Sequence, residues 1–327
     1  MALPLTFVDR ADLDTGAWNA CVDQSATPLF YGYAWYLDAV LPAPHWRWQA
    51  LVLTGAAGAY RAVMPVPLRR RLGRWVVYQP FFCPMLAVFS TDSTIDTSAF
   101  VAAVVARYRY GARLSLHHCP PDLPAAVTRQ TRYTQVLDLS AGYEALLAGY
   151  TRDRHLNLRR ARQADWTLAD QTDPEPLLAL FRQHHADTIR GGVADWAYTM
   201  LRTLIEALQQ RGLATLRYTC QHGQPEAGVL IAHSAGRLVY LFNAASETGR
   251  RGNARTLLLD TVIRESAGQP ALFDFESPEK TSIVDFYRSF GTVDEPYYTL
   301  RWNRLTRLET GLNWLRHRLR ALWYLRS

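Results

Sequence analysis

A chain of 327 residues, 49% apolar and 20% charged, has the length for two domains of ordinary size and too many apolar side chains for a disordered protein. Its net charge of +7 sits at one end: residues 301–327 carry 7 Arg and 1 Glu, while the first 300 residues carry 29 basic and 28 acidic side chains, which argues against a broad nucleic-acid-binding face on the body. The four cysteines, Cys21, Cys83, Cys119 and Cys220, are scattered without a CxxC pair, so neither a zinc site nor a disulfide framework is expected.

In chain order, residues 5–8 read as a short strand and 12–24 and 30–40 as helices. Three strands follow at 46–54, 59–68 and 75–78, the second placed near an edge or an end by Pro65 and Pro67. A helix at 96–109 and strands at 113–117 and 134–139 complete the first half. A helix at 151–164 joins it to the second. There a strand at 166–169, helices at 174–188 and 195–211, and a meander of strands at 215–221, 228–233 and 238–243 are followed by a helix at 254–267. A strand at 271–275, a short helix at 281–289 and a strand at 296–302 end the series. Both halves thus read strand, two helices, three strands, helix, strand, the signature of a duplication. Mixed sheets flanked by helices are the economical way to bury these faces, so the fold class is α/β (α+β). The expected divisions are 1–140, a linker helix within 141–165, 166–303, and a C-terminal segment 304–327. In that segment Leu305, Leu308, Leu312, Leu315, Leu319 and Leu322 draw one apolar stripe at helical spacing, so a basic amphipathic helix is expected. It would dock on the body or rest on anionic lipid. The N-terminus lacks a signal peptide's basic start and apolar core, and no run spans a membrane; a cytoplasmic protein is expected.

The sharpest local signal is the polar stretch Ser246-Glu247-Thr248-Gly249-Arg250-Arg251-Gly252-Asn253 between a strand and the helix opening at Ala254. A glycine-containing loop feeding a helix N-terminus offers free N–H groups and the positive end of the helix dipole, which favour a phosphate. Arg250, Arg251 and Arg255 add charge. A plain surface turn capped by Asn253 would look the same.

Gly249-Arg250-Arg251-Gly252-Asn253-Ala254 resembles the Gln/Arg-x-x-Gly-x-Gly/Ala loop on which GNAT acyltransferases hold the diphosphate of acyl-coenzyme A, with Gly249 departing at the first position. Tyr287-Arg288-Ser289-Phe290-Gly291-Thr292 resembles their Tyr-x-x-x-Gly-Phe motif, with Thr292 in place of Phe. The arginine-rich helix Arg152–Ala161, the strand end Phe273-Asp274-Phe275-Glu276 and the closing Ser289–Tyr298 region are similar to those of the double-GNAT branch, the FemAB-like and BioF-like transferases. The long helical hairpin inserted in Fem-type enzymes is absent.

The resemblance implies tandem GNAT-like domains: a degenerate first copy on the acceptor side, and a second that binds acetyl-coenzyme A or another acyl-coenzyme A without a metal. The donor's phosphates would be held by Arg250, Arg251, Gly252, Asn253, Ala254 and Arg255. Tyr287 would donate a proton to the departing thiolate. Asp274 and Glu276, two apart on a strand and so on one face, would serve as base or amine anchor. Acceptor contacts are expected from Tyr31 and Gln79 in the first domain and from Arg154, Arg159 and Asn243. Arg162 reads as solvated. His184-His185-Ala186-Asp187 lacks the spacing of the His-His-x-x-x-Asp acyltransferase motif, and His117-His118-Cys119 lacks a fourth metal ligand.

The expected reaction moves an acyl group to an amine or hydroxyl of a small molecule or cell-envelope precursor. One rival is a tRNA-dependent aminoacyl transferase, which would need a basic groove the near-neutral body does not supply. Another is a non-catalytic binding protein on a decayed transferase fold.

Overall fold

The computed structural model describes residues 5–306 and 309, apart from 28, 56–57, 72, 93, 190, 235, 277–279. The expected helix at 304–327 therefore lies almost wholly outside the described residues. Among the described residues no helix is long and apolar enough to cross a membrane.

The chain divides into two compact units, residues 1–131 with 297–327, and residues 132–296. Unit 1 contains β1 (Leu5–Asp9), α1 (Thr15–Asp23), α2 (Ala34–Val40), β2 (Trp46–Thr54), β3 (Tyr60–Arg71), β4 (Arg74–Tyr78), β5 (Phe89–Ser90), α3 (Thr97–Arg107) and β6 (Tyr110–Leu116). The strand β7 (Val127–Asp138) runs out of it. Unit 2 contains α4 (Tyr143–Ala148), α5 (Arg152–Gln163), β8 (Thr167–Asp170), α6 (Glu175–His184), α7 (Asp195–Gln209), β9 (Ala214–Gln221), β10 (Gln224–Ser234), β11 (Arg237–Ala245), α8 (Glu247–Arg251), α9 (Ala254–Ser266), β12 (Leu272–Asp274) and α10 (Thr281–Arg288). The strand β13 (Val293–Asn303) leads back to unit 1.

Within unit 1 the strand order is β1-β2-β3-β4-β6, closed by β13 antiparallel to β6. Within unit 2 it is β8-β9-β10-β11-β12, closed by β7 antiparallel to β12. The same order recurs, but each sheet takes its last strand from the other half of the sequence. This is why the units break at 131/132 and 296/297, inside β7 and β13, and not at the expected 140/141 and 303/304. In each unit the fourth and fifth strands are parallel, β4 with β6 and β11 with β12, joined through a helix as parallel pairing requires. Pro65 and Pro67 fall between the stretches of β3 that pair with β5 and with β4, where β2 alone borders the strand.

The core of unit 2 is built from β10, β11, β12, α9 and α10, with Tyr240, Phe273, Phe275, Tyr287 and Phe290 at its centre. Each fully buried side chain of this size contributes about 1.5–3 kcal/mol. The helix α5 opens on Thr151, whose side chain accepts the Arg154 N–H at 3.3 Å. It is tied to α9 by the buried Asp260, which accepts from Tyr143 Oη (2.8 Å), Tyr150 Oη (3.3 Å) and Arg162 (2.9 Å). Arg162, expected to be solvated, is thus the cation that neutralises a buried carboxylate.

Candidate functional site

In unit 2, β11 and β12 run in register only from Arg237↔Leu272 to Val239↔Asp274. Beyond that point β12 ends and β11 continues to Ala245. The β12-side edge of β11 from Tyr240 to Ala244 therefore has no strand against it. Opposite Leu230 and Ile231 of β10, β11 pairs through Phe242 and Tyr240, so Leu241 is an extra residue in a bulge. A bulge takes backbone groups off the ladder and re-aims the neighbouring side chains.

The residues around this parting are Asn243 and Tyr240 of β11, Arg255 of α9, Tyr287 of α10 and Glu276 after β12. Arg255 donates to Asn243 Oδ1 at 3.0 Å and lies 5.3 Å from the Phe286 ring centre. The rings of Tyr240 and Tyr287 meet edge-on at 5.9 Å, and the Phe275 ring lies tilted against that of Tyr287 at 4.8 Å. Burial pushes the Tyr287 phenol up to about 12, with Arg255 pulling it down and Glu276 pushing it up. Its hydroxyl has no hydrogen-bond partner among the described residues. The Tyr240 hydroxyl is fully buried and also has none. Burial raises that phenol as well, the neighbouring Tyr287 adds to the rise, and the nearby Arg255 guanidinium opposes it by its charge and as a close donor. A buried, unpaired hydroxyl costs about 1–3 kcal/mol, so the Tyr240 hydroxyl beside Arg255 marks a place where an acceptor would be stabilised.

The expected phosphate loop is a single turn of helix. Ser246 caps α8 by accepting the Gly249 N–H at 2.9 Å. The Gly252 N–H donates to Thr248 O (2.9 Å) and the Asn253 N–H to Arg250 O (3.3 Å). Asn253 then reverses the chain at φ +56° and its side chain does not cap α9. Of the N–H groups from Gly252 to Arg255, those of Ala254 and Arg255 alone are unspent at the start of α9. Arg251 is exposed and paired with Glu247 one turn away. Arg250 reaches back to Ala245 O at 3.0 Å. The two glycines are required by packing: a Cβ on Gly249 would stand 2.2 Å from Glu226 O, and one on Gly252 would stand 2.2 Å from the Trp166 ring. A bulky residue at Gly252 therefore damages the unit itself and is a poor probe of ligand binding.

Several expected roles change with this geometry. Asp274 is fully buried with both oxygens committed: Oδ1 accepts from Thr134 Oγ1 (2.6 Å) and the Glu276 N–H (2.9 Å), and Oδ2 from Arg237 (2.6 Å). It holds the strand end and is not free to act as a base. Glu276 does not share its face, because the chain leaves the strand and Glu276 adopts φ +44°. In unit 1, Tyr31 is 0% exposed, packed against Phe30 and Tyr36, and so cannot line an open site. Gln79 is 1% exposed and spans backbone, donating to Cys83 O (2.8 Å) and accepting from the Ser115 N–H (3.0 Å). Leu86 then bonds β6 on both sides, through Ser115 O (2.9 Å) and the His117 N–H (2.8 Å). The parting of β4 from β6 is thus closed by the chain itself, where that of β11 from β12 is open.

Arg154 is 5% exposed, sandwiched 4.2 Å from the Phe286 ring centre and 4.5 Å from that of Phe290. It donates to Ser289 Oγ (2.8 Å) and Thr256 Oγ1 (2.6 Å), and burial pulls its guanidinium down to about 10. Arg159 is exposed on α5 and takes no part in these contacts. His185 has its Nε2 at the backbone of Ala245 (3.1 Å to O, 3.2 Å to N), closing the far end of the open edge. Sequence reasoning passed over Tyr240, because a tyrosine in Leu-Val-Tyr-Leu-Phe reads as core. Among the described residues no group of three His, Cys, Asp or Glu could hold a metal.

Residues 151–276 match the family model described as an acetyltransferase (GNAT) domain. No curated protein sequence matches the chain. Among solved structures it is similar to FemX (11% identity, 88% of this chain and 96% of that one, TM-score 0.62). It is also similar to a tandem GNAT protein from the clavulanic acid biosynthesis pathway (14%, 91% and 98%, 0.52). A third is L-PGS from Bacillus licheniformis (12%, 94% and 97%, 0.51). The chain shares the fold of FemX and of the tandem GNAT protein.

Proposed function

We propose that unit 2 takes an acyl-coenzyme A donor at the parting of β11 and β12 and transfers its acyl group to an amine or hydroxyl acceptor, a small molecule or a cell-envelope precursor. The observation that carries this is the open β11 edge with Arg255 at one end and the Tyr240 and Tyr287 rings beside it, the Tyr240 hydroxyl buried without a partner. An anion fits the start of α9: two unspent N–H groups, the helix dipole and the Arg250 and Arg255 guanidinium groups all favour it. The bound thioester supplies an activated carbonyl.

The chain's own residues then have separable tasks. An N–H of the β11 edge donates a hydrogen bond to the carbonyl oxygen as negative charge develops on it. Glu276 takes the proton of the attacking amine or hydroxyl as its bond to carbon forms. As the carbon–sulfur bond breaks, Tyr287 offers its hydroxyl to the departing sulfur. A phenol raised to about 12 remains protonated near neutral pH, so it acts as a donor and never as a base. Arg154 steadies α9 and α10 from below through Thr256 and Ser289, which makes it a positioning residue.

Arg255→Gln tests the donor site. Removing one charged donor to a phosphate costs about 1.5–3 kcal/mol, so acetyl-coenzyme A should bind roughly tenfold to a hundredfold more weakly by calorimetry. The melting temperature should barely move, because the residue's hydrogen bond is to the half-exposed Asn243. Unchanged affinity would remove the anion from the start of α9.

A further inference from the structure

We propose that the β3–β4 end of unit 1 docks on an anionic lipid surface. β3 closes on Arg69, Arg70 and Arg71, β4 returns through Arg74 and Trp75, and Arg47 lies alongside on β2. Arg74 is neutralised by Glu309 at 2.6 Å, an acid it shares with Arg109 at 3.0 Å. Arg47, Arg69, Arg70 and Arg71 form no ion pair among the described residues. Arg47 and Arg70 lie on one face of the ladder and Arg69 and Arg71 on the other, so the strand end carries a pair of arginines on each face. Like charges this close without an ion-pair partner repel one another. An external anion relieves that repulsion.

The arginines are interleaved with aromatic rings. Arg47 lies 4.4 Å from the Trp75 ring centre. Arg69 lies 4.9 Å from that of Trp46 and 5.3 Å from that of Tyr78, and Arg71 lies 5.3 Å from Tyr78. Single-stranded nucleic acid is gripped by stacking bases on aromatic faces. Here guanidinium groups already cover the ring faces. Trp and Tyr beside Arg is instead the composition of a lipid headgroup boundary, where the rings sit at the interface and the cations meet anionic lipid.

The chain's own tail cannot take the lipid's place. Glu309 fixes its start beside Arg74 and Arg109. Beyond Glu309 the sequence carries Arg316, Arg318, Arg320 and Arg326 and no acidic residue. By charge, this stretch offers the strand end no counter-ion.

The test is co-sedimentation of the full chain with vesicles of phosphatidylcholine alone or mixed with phosphatidylglycerol. The chain should bind the mixed vesicles, not the neutral ones, and release at about 0.5 M salt, where the screening length is only a few ångströms. Arg47→Glu with Arg70→Glu should weaken binding at least about thirtyfold, each surface arginine being worth about 1 kcal/mol, or fivefold. Both side chains are exposed and outside the donor site, so stabilisation by acetyl-coenzyme A should persist in the variant. If the double variant melts below the parent, Arg70→Glu alone, which makes no cation–π contact among the described residues, is read for a fivefold or greater loss. Equal binding to neutral vesicles, undiminished binding by the variant, or a higher affinity for a single-stranded RNA oligonucleotide than for the mixed vesicles would overturn the assignment.

Discussion

Tyr287→Phe should lower turnover about a hundredfold while leaving donor affinity and melting temperature essentially unchanged. General-acid assistance is worth about a hundredfold to ten-thousandfold, and a hydrogen bond to a departing thiolate in a half-dry cleft belongs at the lower end. The structural alternative is a core tyrosine whose hydroxyl is anchored to the backbone. The geometry speaks against it: the ring packs on Phe275 and Tyr240 as a phenylalanine would, and the hydroxyl has no partner to lose. Phe therefore keeps the packing and removes one function. Steady-state kinetics with a thermal melt on the same preparation decides the matter. Full activity, or a loss that tracks the melt, would return Tyr287 to the core.

The largest effect on stability is expected at Arg237, far from any notion of surface charge. Its side chain is 10% exposed and joins Asp274, at 0%, to Glu295. Arg237→Ala leaves the Asp274 carboxylate buried with only the Thr134 hydroxyl and the Glu276 N–H to support it. Stranding one member of a buried pair costs about 3–5 kcal/mol, which for a unit of this size lowers the melting temperature by on the order of 10 °C. Glu295→Gln should cost far less, because water reaches that carboxylate and screens the pair. Equal effects of the two changes would show that Asp274 is not the group Arg237 protects. The same network commits both oxygens of Asp274, which is why the proposed proton transfer is assigned to Glu276 and not to Asp274. Asp274 spends one oxygen on the Glu276 N–H and so holds the left-handed turn at Glu276.

Local pattern carried much of the architecture. The meander β9-β10-β11 was readable from alternation and its turn residues, and α9 from the polar stretch before Ala254. The repeated order of elements was visible as well, because each element is encoded in its own residues. The exchange of β7 and β13 was not, since an alternating strand looks the same whichever sheet it joins. α8 was hidden because five polar residues carry no apolar period. Gly252 looked like a phosphate-loop glycine; its true constraint is the Trp166 ring, 86 residues earlier in the chain. Asp274 and Glu276 were paired by assuming extended backbone through both, and the φ of +44° breaks that alternation. Tyr31 and Gln79 were chosen for residue type, and residue type says nothing about whether a polar atom is spent on backbone. Tyr287 was named from the family resemblance, Arg255 for its charge at a helix start and Asn243 at a strand end; they come near one another because α9 and α10 flank the end of β11 where β12 stops.

The central claim is that the start of α9 and the open edge of β11 together hold the donor, and a crystal structure with acetyl-coenzyme A tests it most directly. The account predicts diphosphate oxygens at about 2.7–3.2 Å from the Ala254 and Arg255 N–H groups, with the acyl carbonyl along β11 between Tyr240 and Ala244 and the Tyr287 hydroxyl at the sulfur. A diphosphate bound elsewhere on the chain, or a saturating donor that leaves the β11 edge empty, would contradict it.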